Sequence, residues 1–159
     1  MIRLDKYATL LIIGYAGYMA MKYVTTNKKR EIDLLARTAW GEARGDGRWG
    51  MQAVINVVMN RVKAGRWWGR SVEDVVLKPY QFSCWLESDP NRAKLLAVTT
   101  DDEQFKLAEA FAELAIDGKL TDITNGATNY HTKSVKPSWA STGQQTAIWG
   151  NHIFYKGVA

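Results

Sequence analysis

Glu42 places a carboxylate where a helix should carry an apolar side chain. Ile32, Leu35, Ala36 and Ala39 recur at helical spacing, and the next steps of three and four land on Glu42 and Ala43. Gly45 and Gly47 then end the helix within a turn. Apolar neighbours and the negative end of a helix dipole both disfavour a carboxylate anion, which suits such a group to hold a proton and deliver it as a general acid. A structural ion pair of Glu42 with Arg44 or Arg48 is the competing reading.

Other polar and aromatic residues qualify as parts of a site. Gln81 and Ser83 follow Pro79 on an irregular segment, where they can bond a polar ligand or serve as plain loop residues. Tyr130 and His131 fall at the end of one predicted strand, Asn151 and His152 inside another. For Asn151 and His152 the buried hydrogen bond that holds a cleft in shape competes with direct contact to a ligand. Among seven tryptophans, Trp67, Trp68 and Trp139 lie near Gly or Pro in loops and are the expected stacking platforms, whereas Trp40 and Trp149 are expected in the core. Asp46 is the nearest second carboxylate, but it sits among glycines as a turn residue would.

Metal chemistry is poorly supplied. The chain has two histidines, His131 and His152, and one cysteine, Cys84, with no H-E-x-x-H helix. No metal or other cofactor is therefore expected, and a zinc amidase or a Cys84–His thiol peptidase ranks below an acid-catalysed reaction.

The elements that must position these residues read as mainly helical. A first helix covers 31–44 and a second about 49–64, with Met51, Val54, Ile55, Val58 and Val62 as its apolar stripe. Ser71 and Asp74 form the start signal of a short helix that stops near Pro79. Asp101 or Asp102 caps a third long helix, 103–116, stopped by Gly118. The segments 127–132 and 149–155 are short, aromatic and β-branched and predict two strands.

Residues 1–30 form a different unit. The net charge of +5 lies there: six basic residues face Asp5, and residues 31–159 carry 15 basic and 15 acidic side chains. The globular part is thus neutral and offers no basic patch for nucleic acid. Between Lys6 and Lys22 runs an uncharged stretch, Tyr7–Met21, about 22 Å long as a helix against roughly 30 Å of hydrocarbon. Snorkelling lysines and Tyr7 and Tyr23 extend it over 7–24. A cleaved signal peptide and a soluble helix compete with a weak signal anchor, which is the preferred expectation, with Lys28-Lys29-Arg30 as a basic linker. The positive-inside rule alone would leave the domain in the cytoplasm.

Four separated motifs then resemble those of one family. Ala39-Trp40-Gly41-Glu42-Ala43-Arg44-Gly45-Asp46, Ala53–Val62, Pro79-Tyr80-Gln81-Phe82-Ser83 and Gly150-Asn151-His152-Ile153-Phe154 are similar, in that order, to the signatures of the SleB-type cell wall hydrolases. The resemblance implies a lysozyme-like fold, which with the elements read above gives an α+β, mainly α, catalytic domain over 31–159 with a small C-terminal β element, preceded by the expected N-terminal membrane helix. It implies a lytic transglycosylase acting on peptidoglycan glycan strands, with Glu42 as the catalytic residue; on such a substrate Gln81, Ser83, Tyr130, His131, Asn151 and His152, singled out above from the residues themselves, are the expected substrate-binding candidates. Tyr130-His131-Thr132 departs from the family's usual pattern at that point, so His131 need not share a family role. A short domain behind a marginal apolar segment also resembles signal-anchor-release endolysins of phages. Inner-membrane anchorage with a periplasmic catalytic domain, retained or released, follows as the expectation. A bacterial wall-remodelling enzyme and a non-catalytic peptidoglycan-binding protein are the alternatives.

Overall fold

A computed structural model describes residues 6–158, with side chains from residue 12 onward. Arg3 and Asp5, counted above in the N-terminal charge, lie outside the described residues. The chain divides into two compact units, 1–30 and 31–159.

The first unit is helical from Lys6 on, as part of helix α1 (Lys6–Ala43). Its described side chains, from Ile12 to Arg30, are all exposed. Among the described residues no helix is long and apolar enough to cross a membrane. The membrane helix expected over 7–24 is therefore not found. The uncharged run is short for a bilayer, and Gly14, Gly17, Ala16 and Ala20 dilute its hydropathy. Lys28, Lys29 and Arg30 lie within α1, so the helix that was expected to begin near residue 31 begins much earlier.

The second unit is built around α2 (Gly47–Ala64), whose residues 50–58 are all buried. It has two apolar faces. Met51, Val54, Ile55 and Val58 pack with Leu35, Ala36 and Ala39 of α1, with Val72, Val75 and Val76 of α3 (Val72–Val76), and with Phe105, Ala108, Phe111 and Ala112 of α5 (Glu103–Ile116). Ala53 and Val57 on its other face meet Ala127 and Phe154. Two polar residues inside this helix are satisfied by neighbouring backbone: Gln52 donates to the Thr121 carbonyl and Asn56 accepts from the Ile123 N–H.

Helix starts follow their capping residues. Ser71 and Asp74 form a reciprocal capping box at α3. The Asp102 carboxylate accepts from the Gln104 and Phe105 N–H groups at α5 and also from Trp40 Nε1. Between them lies α4 (Arg92–Ala97).

The C-terminal sheet has three antiparallel strands, β1 (Asn129–Thr132), β2 (Gln144–Trp149) and β3 (His152–Lys156), in the order β1-β3-β2. The single strand expected over 149–155 is instead a hairpin. Trp149 pairs with His152, which leaves Gly150-Asn151 as a two-residue turn, and Gly150 supplies the positive φ of 56° such a turn needs at its first position.

Candidate active site

Glu42 stands one residue before the end of α1, where α1, the short 3₁₀ turn Arg44–Asp46 and α2 form an elbow. Three donors from two distant segments meet its carboxylate. Oε1 accepts the Cys84 backbone N–H at 3.1 Å and the Ser83 hydroxyl at 3.4 Å, and Oε2 accepts the Tyr130 hydroxyl at 3.1 Å. The approach of the Ser83–Trp85 turn depends on Gly41. A Cβ there would sit 2.8 Å from Cys84 Cβ, a contact no side-chain rotation relieves, and 3.0 Å from Leu95 Cδ1.

The ion pair considered for Glu42 does not form. The Arg44 guanidinium donates to the Trp40 and Gly41 carbonyls and lies over the Trp40 ring, and Arg48 lies over Trp49. The cation near Glu42 comes from elsewhere. Arg61, on α2 and only 5% exposed, donates to the Thr128 carbonyl at 2.7 Å and to Gln81 Oε1 at 3.2 Å, between the rings of Trp68 and Phe82. Burial lowers its pKa to about 10, and the negative charge available on Tyr130 and Glu42 opposes that fall. Arg61 therefore stays a cation at neutral pH.

Burial, then the neighbouring Glu42 charge, pushes the Tyr130 hydroxyl well above its ordinary range. Tyr130 is accordingly a donor to Glu42 and not a competing base. Burial likewise pushes the Cys84 thiol far up, with Glu42 and Asp89 adding to the effect. A thiol so held disfavours the thiolate that a thiol peptidase needs.

A cavity of about 230 Å³ opens beside Glu42, walled by Trp40, Arg44, Ser83, Asp89, Thr132 and His152 among others. His152 packs its ring edge-on to Tyr130 at 5.1 Å and bonds through Nδ1 to Asp46 Oδ2 at 2.6 Å. Strand alternation explains which candidates gather here. Tyr130 pairs with Phe154 and Thr132 with His152, so these four share the inner face of the sheet. His131 falls on the outer face, where it stacks on Tyr155 and meets Trp139, and it does not line the cavity. Asn151 is exposed in the hairpin turn. Gln81 reaches the site only through Arg61.

Of the expected stacking tryptophans, none lines this cavity. Trp67 and Trp68 stack on each other at 3.7 Å and bound a separate, larger and more open cavity of about 630 Å³. That cavity contains Glu73 and Asp74, and Asp74 is engaged as a helix cap. Trp40 is buried, and Trp149 packs against the Phe154 cluster with its Nε1 donating to the Ile123 carbonyl. Among the described residues no group of three or more His, Cys, Asp or Glu side chains could hold a metal ion.

Arg61 and Asp89 were not among the sequence candidates. Arg61 follows Val54 by seven and Val58 by three, so it interrupts the stripe of α2 as Glu42 interrupts that of α1. Asp89 had no comparable signal, for its place depends on the loop that carries it.

The fold and site define a mainly helical α+β domain with one anchored glutamate in a cleft between helices and sheet. The cell wall hydrolase family model matches residues 45–155, and the chain belongs to that family. The matched span starts three residues after Glu42. The catalytic domain of the Bacillus cereus SleB protein superimposes with a TM-score of 0.65 at 27% identity, covering 80% of this chain and 91% of that one. The catalytic domain of the germination-specific lytic transglycosylase SleB from Bacillus anthracis gives 0.62 at 26% identity, covering 79% and 93%. No curated protein sequence matches the chain.

Proposed function

We propose that this protein is a lytic transglycosylase that cuts peptidoglycan between N-acetylmuramic acid and N-acetylglucosamine, with Glu42 as its one catalytic acid and base. The observation that carries the reading is the Glu42 carboxylate, held by donors on both oxygens at the wall of a cavity. Family membership and the likeness to a lytic transglycosylase support it.

In the first step Glu42 gives its proton to the glycosidic oxygen as the C1–O bond breaks and positive charge develops at the muramoyl C1. The resulting carboxylate is steadied by the Cys84 N–H and the Ser83 and Tyr130 hydroxyls. In the second step the muramoyl C6 oxygen bonds to C1 and its proton returns to Glu42. A 1,6-anhydro ring results, no water is consumed, and the acid is regenerated. Gln81 acts indirectly, through Arg61. His131 and Asn151 have no part in the reaction at this cavity.

Asp89 favours a second reading, because it lines the same cavity. A second carboxylate could activate water and make the reaction a hydrolysis. Digestion of purified peptidoglycan by the full chain separates the two. Fragments ending in 1,6-anhydromuramic acid are expected by mass spectrometry; reducing ends alone would replace the transglycosylase by a muramidase. Glu42→Gln should lower the rate by about 10²–10⁴-fold, and cleavage at the wild-type rate would take Glu42 out of the reaction and overturn the proposed mechanism. Peptidoglycan lies outside the cytoplasmic membrane, so the enzyme must act there. A signal-anchor-release endolysin needs a membrane segment, and no helix among the described residues is long and apolar enough to cross a membrane.

A further inference from the structure

The two-step reaction leaves His152 without a task, yet its surroundings are specific. Its Nδ1 lies 2.6 Å from Asp46 Oδ2. An ionised carboxylate only accepts, so Nδ1 carries the proton of that bond. Nε2 has no hydrogen-bond partner among the described residues. No buried side-chain nitrogen or oxygen among those residues lacks a partner, so Nε2 must reach solvent although His152 is only 6% exposed. The cavity beside Glu42, which His152 lines, is the opening available to it.

Asp46 is held as firmly as the ring. A Cβ at either Gly50 or Gly150 would lie 2.4 Å from the Asp46 side chain, so two backbones pack against that side chain, the Gly150 backbone against its carboxylate. Gly150 belongs to the same hairpin as His152, and the edge-on Tyr130 ring restrains the imidazole from the side. With Nδ1 held as the donor to Asp46, Nε2 is the ring nitrogen left to face the cavity.

We infer that His152 is a substrate-contacting residue whose Nε2 accepts a hydrogen bond from a sugar hydroxyl bound beside Glu42, with Asp46 as the positioning residue that fixes the tautomer. This rests on the proposed action on glycan. The chain has two histidines, and His131 is a built-in control, since its Nδ1 lies 2.8 Å from the Thr132 carbonyl and its Nε2 lies 3.2 Å from the Tyr155 hydroxyl.

The test is nitrogen NMR of the full chain labelled uniformly with nitrogen-15, in the Glu42→Gln background so that ligand is not consumed. The probe is a soluble tetrasaccharide of alternating N-acetylglucosamine and N-acetylmuramic acid, and His131→Gln assigns the signals. The His152 Nε2 signal should move in the direction of hydrogen-bond acceptance while both His131 nitrogens stay put. Asp46→Asn should weaken tetrasaccharide binding about tenfold. His152→Gln, whose amide oxygen still accepts, should bind better than His152→Phe. If the Ser83 and Cys84 amide signals move and Nε2 does not, the inference is wrong and the proposed function survives. If no cavity amide responds at any concentration, both fall.

Discussion

Removing the Tyr130 hydroxyl takes away the donor on Glu42 Oε2 and leaves the ring packed against His152 and Phe154. A hydrogen bond to a charged group is worth about 1.5–3 kcal/mol. Tyr130→Phe should therefore slow glycan cleavage roughly 10–100-fold with little change in melting temperature. Initial rates and a thermal melt on the same preparation check this, and an unchanged rate would take Tyr130 out of the reaction. Glu42 was legible as a polar interruption of an apolar helical stripe, and Arg61 obeys the same rule on α2. What the residue pattern cannot show is the Cys84 N–H, since a backbone donor carries no side-chain signature. Nor does it show Asp89, whose place depends on a loop closing over the cavity.

Elements place these groups through close approach. Gly41→Ala would gain about 1 kcal/mol of helix propensity at an exposed site, but here the added methyl meets Cys84 and Leu95, and overpacking costs about 1–3 kcal/mol. The Ser83–Trp85 turn should back away and loosen its bond to Glu42. Cleavage is expected to fall at least tenfold while far-UV circular dichroism is kept; full activity would mean that the turn's distance from α1 is unimportant. Helix positions were readable because caps and stripes are local, as at Ser71, Asp74 and Asp102. β2 was missed because Gln144 and Gln145 are exposed on an edge strand and its pairing shifts register near Thr146. The aromatic and β-branched pattern runs through the hairpin turn, so it places Trp149 and His152 on one strand. Alternation from Tyr130 separates His131 from the site, but that requires knowing which face of β1 is inward.

Across the whole catalytic unit, two buried acids resist ionisation, and this sets its response to alkali. Cys84, with an ordinary thiol value of 9.0, and Tyr130, with an ordinary value of 10.0, are both raised in the folded state, burial being the larger cause. Above those values the unfolded chain has released protons that the folded chain still binds, so stability falls as pH rises. Arg61 acts in the opposite sense, because its lowered value lets the folded state lose a proton first, from about pH 10. Stability should therefore begin to drop near pH 9, before Arg61 offsets any of it. Cys84→Ala should move the onset up by about one pH unit, as read from urea unfolding at a series of pH values. An unchanged onset would assign the drop to other groups.

Glu42 and Tyr130 are 88 residues apart in the chain, and Asp46 and His152 are 106 apart. A ribosome-bound chain cannot close this site until β3 has left the exit tunnel, because loops of that span form late. A single protease cut in the 150–151 turn, which would free β3 and His152 from the cleft, should therefore disarm the enzyme without touching Glu42.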